Sequence, residues 1–275
     1  MVFDLHSHST CSDGLLSPAQ LTERAVLKGV TALALTDHDD VSGLAEAKHA
    51  ADEWGLEIIP GVEISVLWQG TTLHIVGLHI DPEHQPLAAG LSDIRAGREQ
   101  RARKMADSLA AAGIEGSLEG ARRYAQNPEL VSRSHFARFL VAQGVSRDTN
   151  AVFRDYLTPG KPGFVPHQWA LLTDALDWIR GSGGIAVLAH PGRYRINEAQ
   201  RGQLLGEFRD SGGAAVEVVT GSHAPDEYVT WARYAKEFGL LASVGSDFHG
   251  PGESYRDLGE IPALPAGCEP VWSLF

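Results

Sequence analysis

One join recurs along this chain and limits the folds open to it: a helical stretch, a glycine, then an apolar run that ends in imidazole or carboxylate groups. It occurs at Gly29 before residues 31–36, at Gly55 before Ile58 and Ile59, at Gly184 before residues 185–189, at Gly213 before residues 214–216 and at Gly239 before residues 240–244. Glycine accepts the left-handed conformation that ends a helix, and near-continuous apolar runs are what a parallel sheet covered on both faces requires. Right-handed crossovers let such a sheet close into a barrel. Ser17-Pro18-Ala19-Gln20 is a capping box with proline at the first helical position, so a helix is predicted from there to Gly29, and a second over about residues 42–54.

In a parallel barrel the carboxyl ends of the strands converge on one mouth. The apolar start, Val2 to Leu5, predicts a strand whose period of two puts His6 and His8 on one face, and the turn at Ser12-Asp13-Gly14 brings Asp13 close. The next strands end in His38 and Glu63. Residues 72–80 are predicted to pair as a hairpin with residues 64–67 about Gln69-Gly70, which brings His74 to the mouth. The later strands end in His190, in Glu217 or Thr220, and in Asp247-Phe248-His249. The set His6, His8, Asp13, His38, Glu63, His74, His190, Asp247 and His249 is too large for one ion and suits a cluster of two or three divalent metals. No thiolate is among them; the oxygen donors favour manganese, with iron and zinc open. Glu217 is read as orienting a ligand imidazole.

Composition narrows the rest. With 275 residues, 43% of them hydrophobic, the chain can bury a full core. A net charge of -12 argues against a protein that holds nucleic acid mainly by non-specific phosphate attraction. Cys11 and Cys268 make no disulfide framework, and Cys11 is read as a small buried side chain. Neither a basic-then-apolar leader nor a membrane-length apolar run is found, so a soluble cytoplasmic protein with no obligate protein partner is expected.

Between residues 82 and 166 the strand signals stop. A long charged helix is predicted from about Leu91 to Ala112, then shorter helical pieces, and between Arg95 and Arg138 nine Lys or Arg face five Asp or Glu. This locally basic segment is read as a helical cap over the mouth, dividing the chain into a first barrel part (1–81), the insertion (82–166) and a second barrel part (167–275). Arg193, directly after His190-Pro191-Gly192, is read as a clamp on phosphate oxygens in preference to a surface ion pair. His49, His79, His84 and His223 stand outside any motif and are read as surface or packing residues.

His6-Ser7-His8, Thr36-Asp37-His38-Asp39, Gly61-Val62-Glu63, Ala189-His190-Pro191 and Gly245-Ser246-Asp247-Phe248-His249 together resemble the motifs of the polymerase and histidinol phosphatase (PHP) family. The resemblance implies a distorted seven-stranded (β/α)7 barrel in the α/β class, three divalent ions and hydrolysis of phosphate esters. It implies one metal on His6, His8, Glu63 and Asp247, a second on Glu63, His74 and His190, and a third on Asp13, His38 and His249. Some members have histidine where Asp13 stands, which bears on the third metal.

Within the family the chain is most similar to stand-alone members with a helical insertion, the 3′,5′-nucleotide bisphosphate phosphatases and related 5′-to-3′ exonucleases of short RNA. Residues 133–138, with Arg133, Ser134, His135 and Arg138, and residues 160–166, with Lys161, resemble theirs. Small nucleotides and short single-stranded oligonucleotides are therefore the expected substrates, with Arg133, Ser134, His135, Arg138, Lys161 and Arg193 touching them. The proton for the leaving oxygen comes either from a metal-coordinated water or from a cap residue such as His135. Histidinol phosphate, lactones or amides, and a non-catalytic metal-bound module are the rival readings.

Overall fold

The computed structural model describes residues 1–167 and 169–275. The first part of the chain runs β1 (Phe3–Asp4), α1 (Pro18–Leu27), β2 (Ala32–Leu35), α2 (Leu44–Asp52), β3 (Glu57–Trp68) and β4 (Thr71–Leu78). A helical stretch follows: α3 (Gln85–Ala111), α4 (Ser117–Arg122), α5 (Arg133–Ala142) and α6 (Thr149–Val152). The chain then returns through β5 (Ala170–Leu171), α7 (Leu172–Gly181), β6 (Ile185–Leu188), α8 (Glu198–Asp210), β7 (Ala215–Thr220), α9 (Pro225–Phe238) and β8 (Leu241–Gly245). Among the described residues no helix is long and apolar enough to cross a membrane.

Seven strands form a continuous sheet in the order β1-β2-β3-β4-β6-β7-β8, with the short β5 alongside β3. The ends meet: Leu5 N–H donates to Val244 O, Asp247 N–H donates to His6 O, and Ser7 pairs with Phe248. This is the α/β barrel of seven strands expected from the resemblance. It is mixed rather than all-parallel, because β4 runs antiparallel to both β3 and β6. Small and branched side chains, including Ala32, Ala34, Ile59, Val76, Val187, Ala189 and Ala215, fill the interior, as a barrel this narrow requires. The stacking of Trp272 on Phe3 at 4.5 Å places the C-terminal 3-10 turn (Val271–Leu274) against this layer, away from the mouth.

Local signals explain most elements. The Ser17 side chain accepts the Gln20 N–H and the Gln20 side chain accepts the Ser17 N–H, completing the capping box of α1. Two predicted boundaries are wrong for tertiary reasons. Glu63 lies inside β3 and not at its end, because β3 pairs with β2 only as far as Pro60 and continues as one arm of the β4 hairpin. Helix α3 begins six residues before Leu91, at Gln85 with Pro86 in its first turn, since Leu87, Leu91 and Ile94 pack into the barrel core. Its second half belongs elsewhere: Ala102, Met105 and Leu109 join Phe136, Leu140, Val152 and Leu157 in a separate core of the helical stretch.

Candidate metal centre

Beyond β1 the chain stays extended, so His6 and His8 lie side by side with their Nε2 atoms 3.1 Å apart, both rings fully buried. Glu63 is the hub. Its Oε1 is 2.8 Å from His74 Nδ1 and 2.9 Å from His190 Nε2, while Oε2 is 2.8 Å from His38 Nδ1 and 3.4 Å from the Nε2 atoms of His6 and His8. Asp247 Oδ1 lies 3.5 Å from His6 Nε2 and 3.3 Å from His8 Nε2, and Asp13 Oδ1 lies 3.4 Å from His249 Nε2. All nine predicted ligands therefore meet at one mouth. Ligand atoms close enough to share an ion fall into overlapping groups: His8, Asp13, His38 and His249; His6, His8 and Asp247; His6, Glu63 and His190; and His38, Glu63 and His74.

The donor chemistry fits cations. His6 Nδ1–H donates to Glu217 Oε1 at 2.8 Å and His249 Nδ1–H donates to the Asp247 carbonyl at 2.9 Å, so each neutral ring turns an Nε2 lone pair toward the centre. A lone pair facing a carboxylate oxygen is repulsive unless a proton or a metal lies between them. Without metal a proton takes that role at His249: burial opposes its charge, but Asp13 and Asp247 push its pKa up to about 9. Buried Asp13 Oδ1, Glu63 Oε2, His8 Nδ1, His38 Nδ1 and His190 Nδ1 find no aligned hydrogen-bond partner among the described residues. Burial also works against charge on Glu63, yet the surrounding His74, His38 and His6 hold its carboxyl well below the ordinary range. An ionised carboxylate with an unpaired buried oxygen among imidazoles is the environment of a divalent-metal site.

Residues outside the ligand set hold its loops. Asp37 accepts from Ser9 N at 2.7 Å, Ser9 Oγ at 2.6 Å and Ser12 Oγ at 2.5 Å, fastening the turn that carries Asp13. Asp39 takes Arg98 of α3 in a buried ion pair and also accepts Ser65 N at 2.8 Å. Asp39, His190 and Asp247 all have positive φ without being glycine, a conformation retained only where neighbours enforce it. A Cβ at Gly245 would collide with His6 and crowd Glu217, so glycine is needed there.

The predicted substrate contacts divide. Arg193 sits half exposed at the rim with Nη1 2.8 Å from Asp247 Oδ2. Arg133 points inward, its guanidinium against Phe153 and hydrogen-bonded to Leu157 O, and burial with Arg193 and Arg98 nearby lowers its pKa to about 10. Ser134 is part-buried in the first turn of α5, and Lys161 is exposed on the loop after α6. Arg138 is already engaged: it pairs with Glu253 at 2.6 Å and donates to the Asp13 carbonyl at 2.6 Å. It braces Asp13 through Nε and Nη2, while its buried Nη1 has no hydrogen-bond partner among the described residues. His135 Nδ1 accepts the Ser132 N–H at 3.0 Å, and burial, with Arg138 and Arg98 adding to it against Asp13, pushes its pKa to about 4. With Nδ1 accepting, the neutral ring carries its proton at Nε2, where it can act as a hydrogen-bond donor.

Sequence reasoning missed Arg101. It is buried, stacked with Arg98 on Trp169, donates to Val165 O, and has no carboxylate partner among the described residues. Burial, with Arg133 and Arg98 close by, pushes its pKa down to about 9. The i, i+3 spacing of Arg98 and Arg101 on α3 was the available signal. It also missed His223, whose Nδ1–H donates to Val218 O while Nε2 accepts Gly192 N–H at 3.0 Å, steadying the turn that carries Arg193.

Comparison with known proteins agrees with this geometry. A family model for the PHP domain matches residues 4–209. A 3′,5′-nucleoside bisphosphate phosphatase from Chromobacterium violaceum is 53% identical over 98% of this chain and 94% of its own length. The 5′-3′ exoribonuclease Rnm of Escherichia coli is 45% identical over 100% of this chain and 94% of its own. A solved structure of an amidohydrolase from Chromobacterium violaceum, with bound sulfate and no metal, superposes with a TM-score of 0.97 at 51% identity, covering 100% of this chain and 95% of that one.

Proposed function

Because the chain belongs to the PHP domain family, we propose that it is a metal-dependent phosphohydrolase that removes the 3′-phosphate of nucleoside 3′,5′-bisphosphates, turning adenosine 3′,5′-bisphosphate into AMP and phosphate, and that it also accepts short 5′-phosphorylated oligonucleotides. The proposed ligand sets are His6, His8, Glu63 and Asp247 for one ion, Glu63, His74 and His190 for a second, and Asp13, His38 and His249 for a third, with manganese preferred. Divalent ions held there supply positive charge that offsets the anionic ester and makes coordinated water acidic enough to serve near neutral pH.

The chain's own residues do the positioning. Arg193, held by Asp247 at the rim, offers its remaining N–H groups to the non-bridging oxygens of the reacting phosphoryl group. Glu63 and Asp247 stay ionised among the imidazoles and so keep the centre's charge fixed. The residues of residues 82–166 act as the cap, and Arg133, Ser134, His135 and Lys161 line its substrate side.

The observation that carries the two-phosphate substrate is the pair of buried Arg101 and part-buried Arg133 on the insertion side of the mouth, neither of which has an ion-paired carboxylate among the described residues. A metal centre holds one phosphoryl group for reaction, and these guanidiniums suit a second, unreacting one. Binding energy from that remote group orients the reacting phosphate, so its loss lowers catalytic efficiency and not affinity alone. The test is kcat/KM for adenosine 3′,5′-bisphosphate against adenosine 3′-monophosphate, expected to differ by at least about 100-fold. Equal values reject the second phosphate site, and cleavage of amide substrates without phosphate release rejects the phosphohydrolase reading altogether. An undiminished preference in the Arg133→Ala, Lys161→Ala double variant shows that other residues carry the anchor.

A further inference from the structure

One hydroxyl joins the metal centre to the insertion. Ser132, buried at the start of α5, donates from Oγ to Asp13 Oδ2 at 3.0 Å, and the same oxygen accepts the Ser134 N–H at 3.1 Å. With Oδ2 engaged, Asp13 Oδ1 is left turned toward His249 and His38, buried and without an aligned hydrogen-bond donor among the described residues. The Asp13 carbonyl is held from the next turn of the same helix by Arg138, which is fixed by Glu253. The loop of Glu253 in turn touches the neighbouring ligand, since Ser254 Oγ accepts the His249 N–H at 2.7 Å. Helix α5 is thus keyed to two donors of one candidate ion position, although it contributes no donor itself. Its first turn also carries Arg133, Ser134 and His135.

Ser132 was not singled out by any motif. Its partner Asp13 is 119 positions away in the chain, and its capping bond alone would make it an ordinary helix start. The second bond changes its role. A carboxylate whose rotamer is set by an outer hydrogen bond presents the free oxygen at lower entropic cost, and removal of such a bond typically weakens metal binding about 10–100-fold.

We infer that Ser132 is a positioning residue which orients Asp13 for its metal and links occupancy of that metal position to nucleotide binding at the first turn of α5. The inference rests on the metal and nucleotide reading given above. Linkage is reciprocal: a nucleotide that settles the first turn of α5 tightens the Asp13 metal, and the metal tightens the nucleotide.

Graded chelator titration of the metal-loaded protein, with metal counted at each step, tests this in the presence and absence of AMP. In the wild type AMP should tighten the weakest metal equivalent by at least about fivefold, the lower end of the usual span of coupling energies. Ser132→Ala should weaken that equivalent about tenfold without AMP and abolish the AMP response, while Ser132→Thr, which keeps the hydroxyl, should match the wild type. A Ser132→Ala protein whose weakest equivalent is unchanged overturns the positioning role; a lower melting temperature alone would mark it as a helix cap. An AMP response that survives in Ser132→Ala, or bound AMP that leaves the wild-type metal unaffected, overturns the linkage. Failure of the wild type to bind AMP at all refutes the nucleotide reading instead, while the comparison without AMP still decides whether Ser132 positions Asp13.

Discussion

Glu217 Oε1 accepts the Nδ1 proton of His6 at 2.8 Å while its Oε2 accepts the main-chain N–H of His190 at 2.5 Å. One buried carboxylate on β7 therefore sets two candidate ligands that lie far apart in the sequence. The second bond matters because His190 has φ 28°, a strained conformation that needs an external hold. Glu217 lies at a register shift of β7 against β8, between Glu217 and Val219.

Glu217→Ala should free the His6 ring and relax the His190 backbone together. Metal affinity is expected to fall about 10–100-fold, read by chelator competition, with the far-ultraviolet spectrum retained. Wild-type affinity in the variant would show that the strand geometry alone orients both histidines.

Glu63 is within 3.4 Å of five imidazoles, so Glu63→Ala removes the group common to most of the ion positions. Phosphate release should be lost and metal content should drop by more than one equivalent. Full occupancy with retained activity would refute the ligand assignment.

Asp13 lies at the edge of the cluster, grouped among the described residues with His249, His38 and His8 as neighbouring donors. Asp13→Ala should accordingly cost one metal equivalent and leave the rest, counted by elemental analysis of the purified protein. Loss of every ion would mean that the positions fill cooperatively.

The legible part of this molecule is the part written in local pattern. Strand period, glycine-ended helices and polar strand ends were enough to place His6, His8, His38, His190, Asp247 and His249 at one mouth, because each follows its strand within a few residues. Glu63 does lie among the imidazoles but inside its strand and not at the end, since nothing local reveals that β3 changes partner after Pro60. The supporting contacts were not legible. Arg138 has the same sequence character whether it meets a phosphate or Glu253, and that carboxylate is 115 positions away. Arg98, Ser132 and His223 likewise have roles defined by partners that only the closed barrel brings near.

Asp257 ties α1 to the C-terminal loops through Arg24, at 2.5 Å, and Lys28, at 2.7 Å. Burial raises its pKa, but the hydrogen bonds from Arg24 and Lys28 outweigh it and bring the value down to about 2. The folded-state value lies below the unfolded one of about 3.9, so the pair stabilises the protein above that pH and the contribution is lost as pH falls toward 2. Asp257→Asn should cost about 1 kcal/mol at pH 7 after allowance for solvent screening. In denaturant unfolding the gap between variant and wild type should narrow below pH 4; a gap independent of pH would assign the loss to packing.

Substitution of Arg101 tests the two phosphates of the proposed substrate separately. Arg101 is buried, about 30 positions before Arg133 in the chain, yet close enough that the Arg133 guanidinium adds to burial in depressing its pKa. A buried cation with no ion-paired carboxylate among the described residues raises the free energy of the empty protein and favours an anion beside it. The metal ligands do not touch Arg101, so its removal should act on the remote phosphate far more than on the reacting one. Arg101→Ala is expected to lower kcat/KM for adenosine 3′,5′-bisphosphate by at least about tenfold more than for adenosine 3′-monophosphate, with metal content unaltered. Arg101→Lys should recover only part of the loss, because a single ammonium cannot reproduce the two-pronged contact of a guanidinium with phosphate. Equal losses for the two substrates would mean that Arg101 supports the centre as a whole, and the second phosphate would then have to be sought nearer Lys161, on the exposed side of the cap.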